Sequence, residues 1–530
     1  MSDQKQELHE MNHVGTTGDK KDLESIESLE SEQHKPLTRR EIQGWLAYAV
    51  AAEPYSVVCI STLAPIVLEA LASGNGRQFD NRDLPCDTCV VKIGSIWLDT
   101  ASFSLYCISV SVFLQAVVFI SMGALADHGN RRKSFLMTFA FIGSIATILF
   151  AVIRTASLYW FAGILVIISN VAFGASWVLY YAFIPTLTRD HPEVIDVKRG
   201  LATKTGVEAE VEAEAEATKT LSDYYFIQDK VSNSLSSHSM AIGYAAGVTM
   251  LIIAAGIAVA MGQTTYSMQV GMALTGLWWF AVSFFTLKYM APQPGEPLPG
   301  NVNLFFYSWR RLGKTLTEAR LLKETFKYLV SWFILSDGNS TIVSLAIFLG
   351  KKKFLLTNTQ LMIGAILVPF SALIGTYAWL WIQRRMNLTS KQMLLIISAA
   401  FAMVPVYCLI GFSNSFGLVH KVEIWPCLVY FGLMLGAFQS FSRVMYAALI
   451  PKGKESEFFS LYGITDKSSS WLGPLITGAI IENNDTRWGF VFPLVMMVFP
   501  LILLLWIDVD KGIQDAERFS KEHTDAKDGL

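Results

Sequence analysis

Residues 97–153 read WLDTASFSLYCISVSVFLQAVVFISMGALADHGNRRKSFLMTFAFIGSIATILFAVI. Two apolar runs, 97–124 and 134–153, flank a short loop that holds Asp127, His128, Arg131, Arg132 and Lys133. Asp99 is the only charge in the first run, and the second run has none. A helix needs ~20 such residues to cross a ~30 Å hydrocarbon layer. Inside lipid, every backbone N–H and C=O must be satisfied within the segment, so these runs are helices. A barrel would show ~10-residue alternating strands, and the chain has no such pattern.

The same signal recurs outward in both directions. Further apolar runs fall at 46–72, 157–183, 238–261, 268–290, 326–349, 359–382, 389–412, 424–449, 459–481 and 488–507. Twelve crossings bring both termini to one side. Composition agrees: 52% of the 530 residues are hydrophobic and only 16% charged, where a soluble chain carries about 25%. The net charge of −2 offers no basic surface for nucleic acid. The partner implied is the lipid bilayer.

Loop charges set the orientation. Arg131, Arg132 and Lys133, then Arg384 and Arg385, then Lys452 and Lys454 lie on one side, against single charges such as Arg154, Lys421 and Arg487 on the other. Basic loops stay in the cytosol, which puts both termini there. The run Lys351–Lys353 falls on the opposite side and counts against this assignment.

Between the crossings the chain divides into a polar tail at 1–42, helices 1–4 at 43–187, an acidic linker at 188–237 and helices 5–6 at 238–290. A second linker at 291–325 follows, then helices 7–12 at 326–510 and a tail at 511–530. The first tail lacks apolar clusters and is expected to be disordered. The alternating Glu and Ala of 207–216 suit strands poorly, so 188–237 is expected to be a solvated linker. Prolines 292, 294, 297 and 299 stop helix 6, and the amphipathic stretch 304–328 is expected to lie on the membrane surface. Six helices, a linker and six more make an all-α membrane protein in two six-helix halves. That is the organisation of a transporter with a central site.

Soluble chemistry finds little support. His9-Glu10-Met11-Asn12-His13 matches a zinc-protease motif but sits in the acidic tail, and Gly313-Lys314-Thr315 lacks the earlier glycine of a phosphate loop. There is no Gly-x-Ser-x-Gly elbow. No enzyme, metal or cofactor is expected. Cys86 and Cys89 form a C-x-x-C in a polar loop, open to either a local disulfide or free thiols. Of the glycosylation sequons at Asn339, Asn387 and Asn484, only Asn484 falls in a loop on the lumenal side.

Charge inside the bilayer is the remaining signal. A central Asp, Lys or Arg costs roughly 2.5–3.5 kcal/mol to insert, so it needs a partner or a polar cavity. Glu53, Asp337, Arg443, Asp466 and Lys467 all fall within spans, as does the polar Asn339. Glu53 precedes Pro54, and Asp337 precedes Gly338, both helix-loosening residues in the first helix of each half. These charges read either as a substrate or proton cavity or as static pairs joining the halves. Asp466 and Lys467 are adjacent, face different ways and need not pair. Asn170 is expected to hydrogen-bond between helices.

The loop Gly123-Ala-Leu-Ala-Asp127-His-Gly129-Asn130-Arg131-Arg132-Lys133 resembles the signature loop of the major facilitator superfamily, G-x-L-x-D-x-x-G-R-K/R. Asn130 stands where the second glycine is expected. The resemblance implies gating: Gly123 lets helices 2 and 11 approach, while Asp127 and Arg131 lock the cytosolic side. Gly44 to Tyr48, Glu53-Pro54-Tyr55, Leu335-Ser336-Asp337 and the stretch Pro451 to Ser470 ending in Gly473-Pro474 are similar to the autophagy-related protein 22 family, from about residue 40 to 510. That family implies export of leucine and other neutral amino acids from the vacuole lumen during autophagy. Alternating access about a midplane cavity is expected, and an acid there that changes protonation would couple transport to protons. Glu53 or Asp337 would meet the ammonium, and Arg443 or Lys467 the carboxylate. The rival readings are a scaffold or lipase-like factor in vacuolar breakdown, and a facilitator for another small solute.

Overall fold

The computed structural model describes residues 36–79, 84–86, 89–94, 96–205, 212–298, 303–412, 417–468, 472–482 and 485–528. The motif His9–His13 and the sequon at Asn484 lie outside them. Among the described residues, eleven helices are long and apolar enough to cross a membrane. The eleventh expected span, 459–481, is described in two pieces, α15 (Glu455–Ser468) and α16 (Leu472–Glu482), with 469–471 outside the described residues.

The first span is a continuous helix of three pieces. It runs from α1 (Arg39–Pro54) through a π-helical segment, Tyr55–Leu63, to α2 (Ala64–Gly74). Pro54 has no N–H to give, so the ladder changes register at that point. Thr38 and Glu41 form a capping box that starts α1. Spans 2 to 6 are α3 (Thr100–Ala126), α4 (Arg131–Ile148), α5 (Tyr159–Tyr181), α8 (Glu212–Ala260) and α9 (Thr265–Tyr289), with α6 (Phe183–Arg189) and α7 (Pro192–Thr205) between α5 and α8. In the second half, α10 (Leu304–Thr317) precedes spans 7 to 10: α11 (Lys323–Lys352), α12 (Asn358–Met386), α13 (Ser390–Ile410) and α14 (Ile424–Ala448). Span 12 is α17 (Val491–Leu505), and α18 (Val509–Asp528) closes the chain.

Each half packs within itself. In the first, α1 lies on α8 and α9, and α5 on α3 and α4; in the second, α14 lies on α12 and α13, and α11 on α17. Aromatic contacts fix the innermost helices. Trp45 stacks on Tyr180 at 4.5 Å and donates to its carbonyl, and Tyr55 meets Ser169 at 2.6 Å, pinning span 1 to span 4. Trp332 stacks on Tyr462 at 4.9 Å, and Tyr328 donates to Ser442 O, pinning span 7 to spans 11 and 10. Asn170 donates to Ser111, joining spans 4 and 2 as expected.

Several expectations need correction. Residues 188–237 are largely helical rather than a solvated linker: α7 fills 192–205 and α8 begins at Glu212. Glu and Ala are strong helix formers, so composition prevails over the period-two pattern. Residues 97–99 are not helix 2 but part of β3 (Ile96–Asp99), which pairs antiparallel with β2 (Cys89–Ile93); β1 (Arg77–Gln78) pairs on the far side of β2. Cys86, between β1 and β2, is disulfide-bonded, whereas Cys59, Cys107, Cys408 and Cys427 are free. The final tail is the helix α18, with Ala516 and Phe519 buried. Gly338 loosens nothing. It lies inside the continuous α11, where its bare Cα lets Met496 and Met497 of span 12 come close.

Candidate functional site

Arg443 of α14 is buried where the halves meet. Its guanidinium lies 4.0 Å from the ring centroid of Tyr181, at the end of α5. One arm donates to Met240 Sδ of α8 at 2.8 Å and another to Gln439 Oε1 at 3.1 Å. A thioether is a weak acceptor, so the cation is underserved for a buried charge. Glu53, also buried, feels Arg443 electrostatically but makes no ion pair or hydrogen bond with any described residue. The structure therefore brings two of the expected site residues, Glu53 and Arg443, into one polar region with Tyr181 and Tyr244 and leaves them out of contact. An acid and a base held apart there form a place where a zwitterion's two ends can each find an opposite charge.

The other expected residues form a second cluster, between spans 7 and 11. Asp337 Oδ1 accepts from Gly473 N of α16 at 3.1 Å. Asp337 Oδ2 and Asn339 Oδ1 are buried with no hydrogen-bond partner among the described residues. Asp466 accepts from Ser336 at 2.6 Å and pairs with Lys467 at 3.1 Å. Adjacent residues on a helix need not pair, yet here the half-exposed Lys467 meets its neighbour.

The loop after α3 builds a latch on the face that carries both described ends of the chain. Asp127 Oδ1 accepts from Ser456 N at 2.8 Å and Oδ2 from Glu457 N at 2.9 Å, so it caps the first turn of α15 from the other half. Gly123 makes this approach possible: a Cβ there would lie 2.5 Å from Ser460 Oγ. Arg131 makes no ion pair with any described residue. Its neighbour Arg132 reaches Asp127 at 2.7 Å and Glu455 at 2.9 Å, and Arg189 also binds Glu455. The shift of one position has a backbone cause. The left-handed turn falls on Gly129, with φ +58°, while Asn130 keeps φ −91° and precedes α4 without a side-chain cap. Burial pushes the Asp127 carboxyl up to about 6, with Arg132 and the two backbone donors pulling the other way.

Sequence reasoning did not find Arg132, Glu455, Glu457 or Arg311 as latch residues. Glu455 and Glu457 sit at the start of a helix after Pro451-Lys-Gly-Lys454, a pattern that marks an acidic first turn. Arg311 of α10 pairs with Glu457 at 3.4 Å, and Thr315 donates to the same carboxylate. Trp309 donates to Ser121 of α3 at 3.1 Å. The amphipathic helix is thus docked across the latch, with Phe306 and Leu316 facing outward. A cavity of about 50 Å³ beneath it, lined by Asp127, Arg311 and Lys454, has room for a few waters and no amino acid. This face is closed.

The chain matches the family described as "Vacuole effluxer Atg22 like" over residues 37–517. It is 33% identical over 544 residues to an autophagy-related protein 22 of Gibberella zeae, covering 93% of this chain and 83% of that one. It is 32% identical over 561 residues to autophagy-related protein 22-1 of Aspergillus niger, covering 92% and 91%. Among solved structures, a bacterial homologue of the iron transporter ferroportin in an outward-facing state superposes with TM-score 0.55 at 15% identity, over 88% of this chain and 98% of that one. The proton:xylose symporter XylE, bound to 6-bromo-6-deoxy-D-glucose, gives 0.57 at 11% identity, over 91% and 97%. The fold is that of a major facilitator, and the chain belongs to the vacuole effluxer Atg22-like family of multi-pass membrane proteins.

Proposed function

We propose that this protein exports leucine and other neutral amino acids from the vacuole lumen to the cytosol by alternating access, coupled to protons. The observation that carries the reading is Arg443, buried at the interface of the halves and held by a ring face, a thioether and an amide. A substrate carboxylate offers that guanidinium a far stronger, forked partner. Glu53 stands ready for the ammonium, and in the empty carrier it is the carboxyl that takes up a proton from the acidic lumen. The latch-bearing face is the cytosolic one, so the conformation described is closed to the cytosol. Asp337 serves the same half-cycle from span 7, by holding or releasing the first turn of α16.

The family's description supports the organelle and the direction, and the fold supports alternating access. The test is labelled-leucine flux in proteoliposomes of known orientation, with and without an imposed pH gradient. Flux that is accelerated by an acidic lumen and lost in E53Q and R443Q is expected. Undiminished, still pH-dependent flux in E53Q and D337N removes those acids from the mechanism. No flux under either condition moves the protein to the scaffold class.

A further inference from the structure

A second acid bridges the halves on the same face, on the far side of the central site. Asp229 lies on α8, in the first half, and Ser390 opens α13, in the second. Ser390 N donates to Asp229 Oδ2 at 2.9 Å, and Ser390 Oγ donates to Oδ1 at 2.5 Å. Asn233, one turn along α8 and fully buried, donates to Ser390 Oγ at 2.5 Å and to Asp229 Oδ2 at 3.2 Å. Next to it, Arg384 at the end of α12 donates to Ser234 at 2.8 Å. Deeper in, Ser236 and Ser237 of α8 meet Ser440 of α14.

The chemistry repeats that of Asp127. In both places a carboxylate from the first half accepts from the first turn of a helix of the second half, two backbone N–H groups at Asp127 and one with the Ser390 hydroxyl at Asp229, where free donors and the helix dipole favour an anion. Asp127 holds α15, and Asp229 holds α13. A single latch on one side of a two-half carrier would act as a hinge; two, one on each side, seal the face.

We infer that Asp229 and Ser390 form a second gate latch, paired with Asp127 across the cytosolic face, and that both must release before this face opens. Asp229 is a positioning residue: it touches α13 and not the cargo region around Arg443. The inference rests on the alternating-access reading, since a latch has meaning only if the face opens.

The test places spin labels on exposed positions of the two halves, Asp223→Cys on α8 and Arg385→Cys on α12, and measures their distance by pulsed EPR in the full-length protein. D229N removes the charge, and S390A removes only the hydroxyl. Each is expected to raise the open-to-closed ratio by roughly tenfold, as loss of a charge-assisted hydrogen bond does. The double variant should add little to D229N alone, because both break one interaction. If D229N fails to fold, S390A decides. Unchanged distances in the folded variants overturn the latch. Distances that respond in a protein that moves no leucine keep the latch and overturn the transport reading, so the two failures are distinguishable.

Discussion

Arg443 shows how a buried charge behaves when its acid is near but not touching. Removing the guanidinium fork while keeping the charge, in R443K, gives up the stacking on Tyr181 and the two-armed grip. Leucine flux at low substrate should fall by roughly tenfold or more, with KM rising and the thermal midpoint little changed. E53Q should reduce flux comparably and flatten its dependence on lumenal pH. A different residue reports on pH through stability. Lys454 is buried above the ring of Phe519 at 3.9 Å, and burial pulls its ammonium down to about 8. Between about 8 and the ordinary lysine value near 10.4, the folded chain binds fewer protons than the unfolded one, so stability rises with pH across that window. Melting curves from pH 7 to 10 should show the wild type gaining on K454M above pH 8. A constant difference would place Lys454 in water.

At the scale of elements, the approach of α3 to α15 depends on one missing side chain. In Gly123→Val the new atoms meet Ser460 and the backbone of Glu457, so the two helices must separate. Overpacking of this kind costs about 1–3 kcal/mol. Cysteine cross-linking across the closed face should become roughly tenfold or more slower in the variant, while helix content by circular dichroism stays the same. Elements were also where the sequence was easiest and hardest to read. The twelve apolar runs were legible because a bilayer demands length and apolarity together, and eleven reappear as continuous spanning helices. The strand at residues 97–99 was not, because Trp97 and Leu98 extend the apolar run of helix 2 without a break. Nor was Asn233: a buried amide that joins α8 to α13 is set by three-dimensional register, which no local pattern encodes. The loop after α3 was legible as a latch but one residue out, since the turn chose Gly129 and carried the charge pairing with it.

For the molecule as a whole, the balance between its two conformations rests on few contacts. The latch of Asp127, Arg132, Arg189 and Glu455 ties loops and helices of the first half to one helix end of the second. Replacing Arg132 by Ala leaves buried Asp127 with only its two backbone donors and Glu455 with Arg189 alone, and breaking a buried pair typically costs about 3–5 kcal/mol. The protein can escape that cost by opening the face to water. R132A should therefore favour the state open on this face, read as faster cysteine labelling on that side, with a loss of stability smaller than a fully buried pair would give. Equal labelling rates in R132A and wild type would show that the closed state does not rest on this pairing. The charges of the central site were visible in the sequence because apolar surroundings make them stand out. Of the latch charges only Asp127 was; Arg132, Arg189 and Glu455 look, in loops and at helix ends, like any solvated surface.

One helix does more than cross. At 49 residues, α8 is about 73 Å long, over twice the hydrocarbon depth. Its inner part carries Met240 against Arg443, and further out Tyr225 donates to Glu517 of α18 at 2.9 Å. A rigid rod of this length is a lever. A tilt of ten degrees at the cargo region would swing a point about 40 Å outward by about 7 Å. A dye attached near its outer end would register each turn of the carrier far from the site where cargo is held.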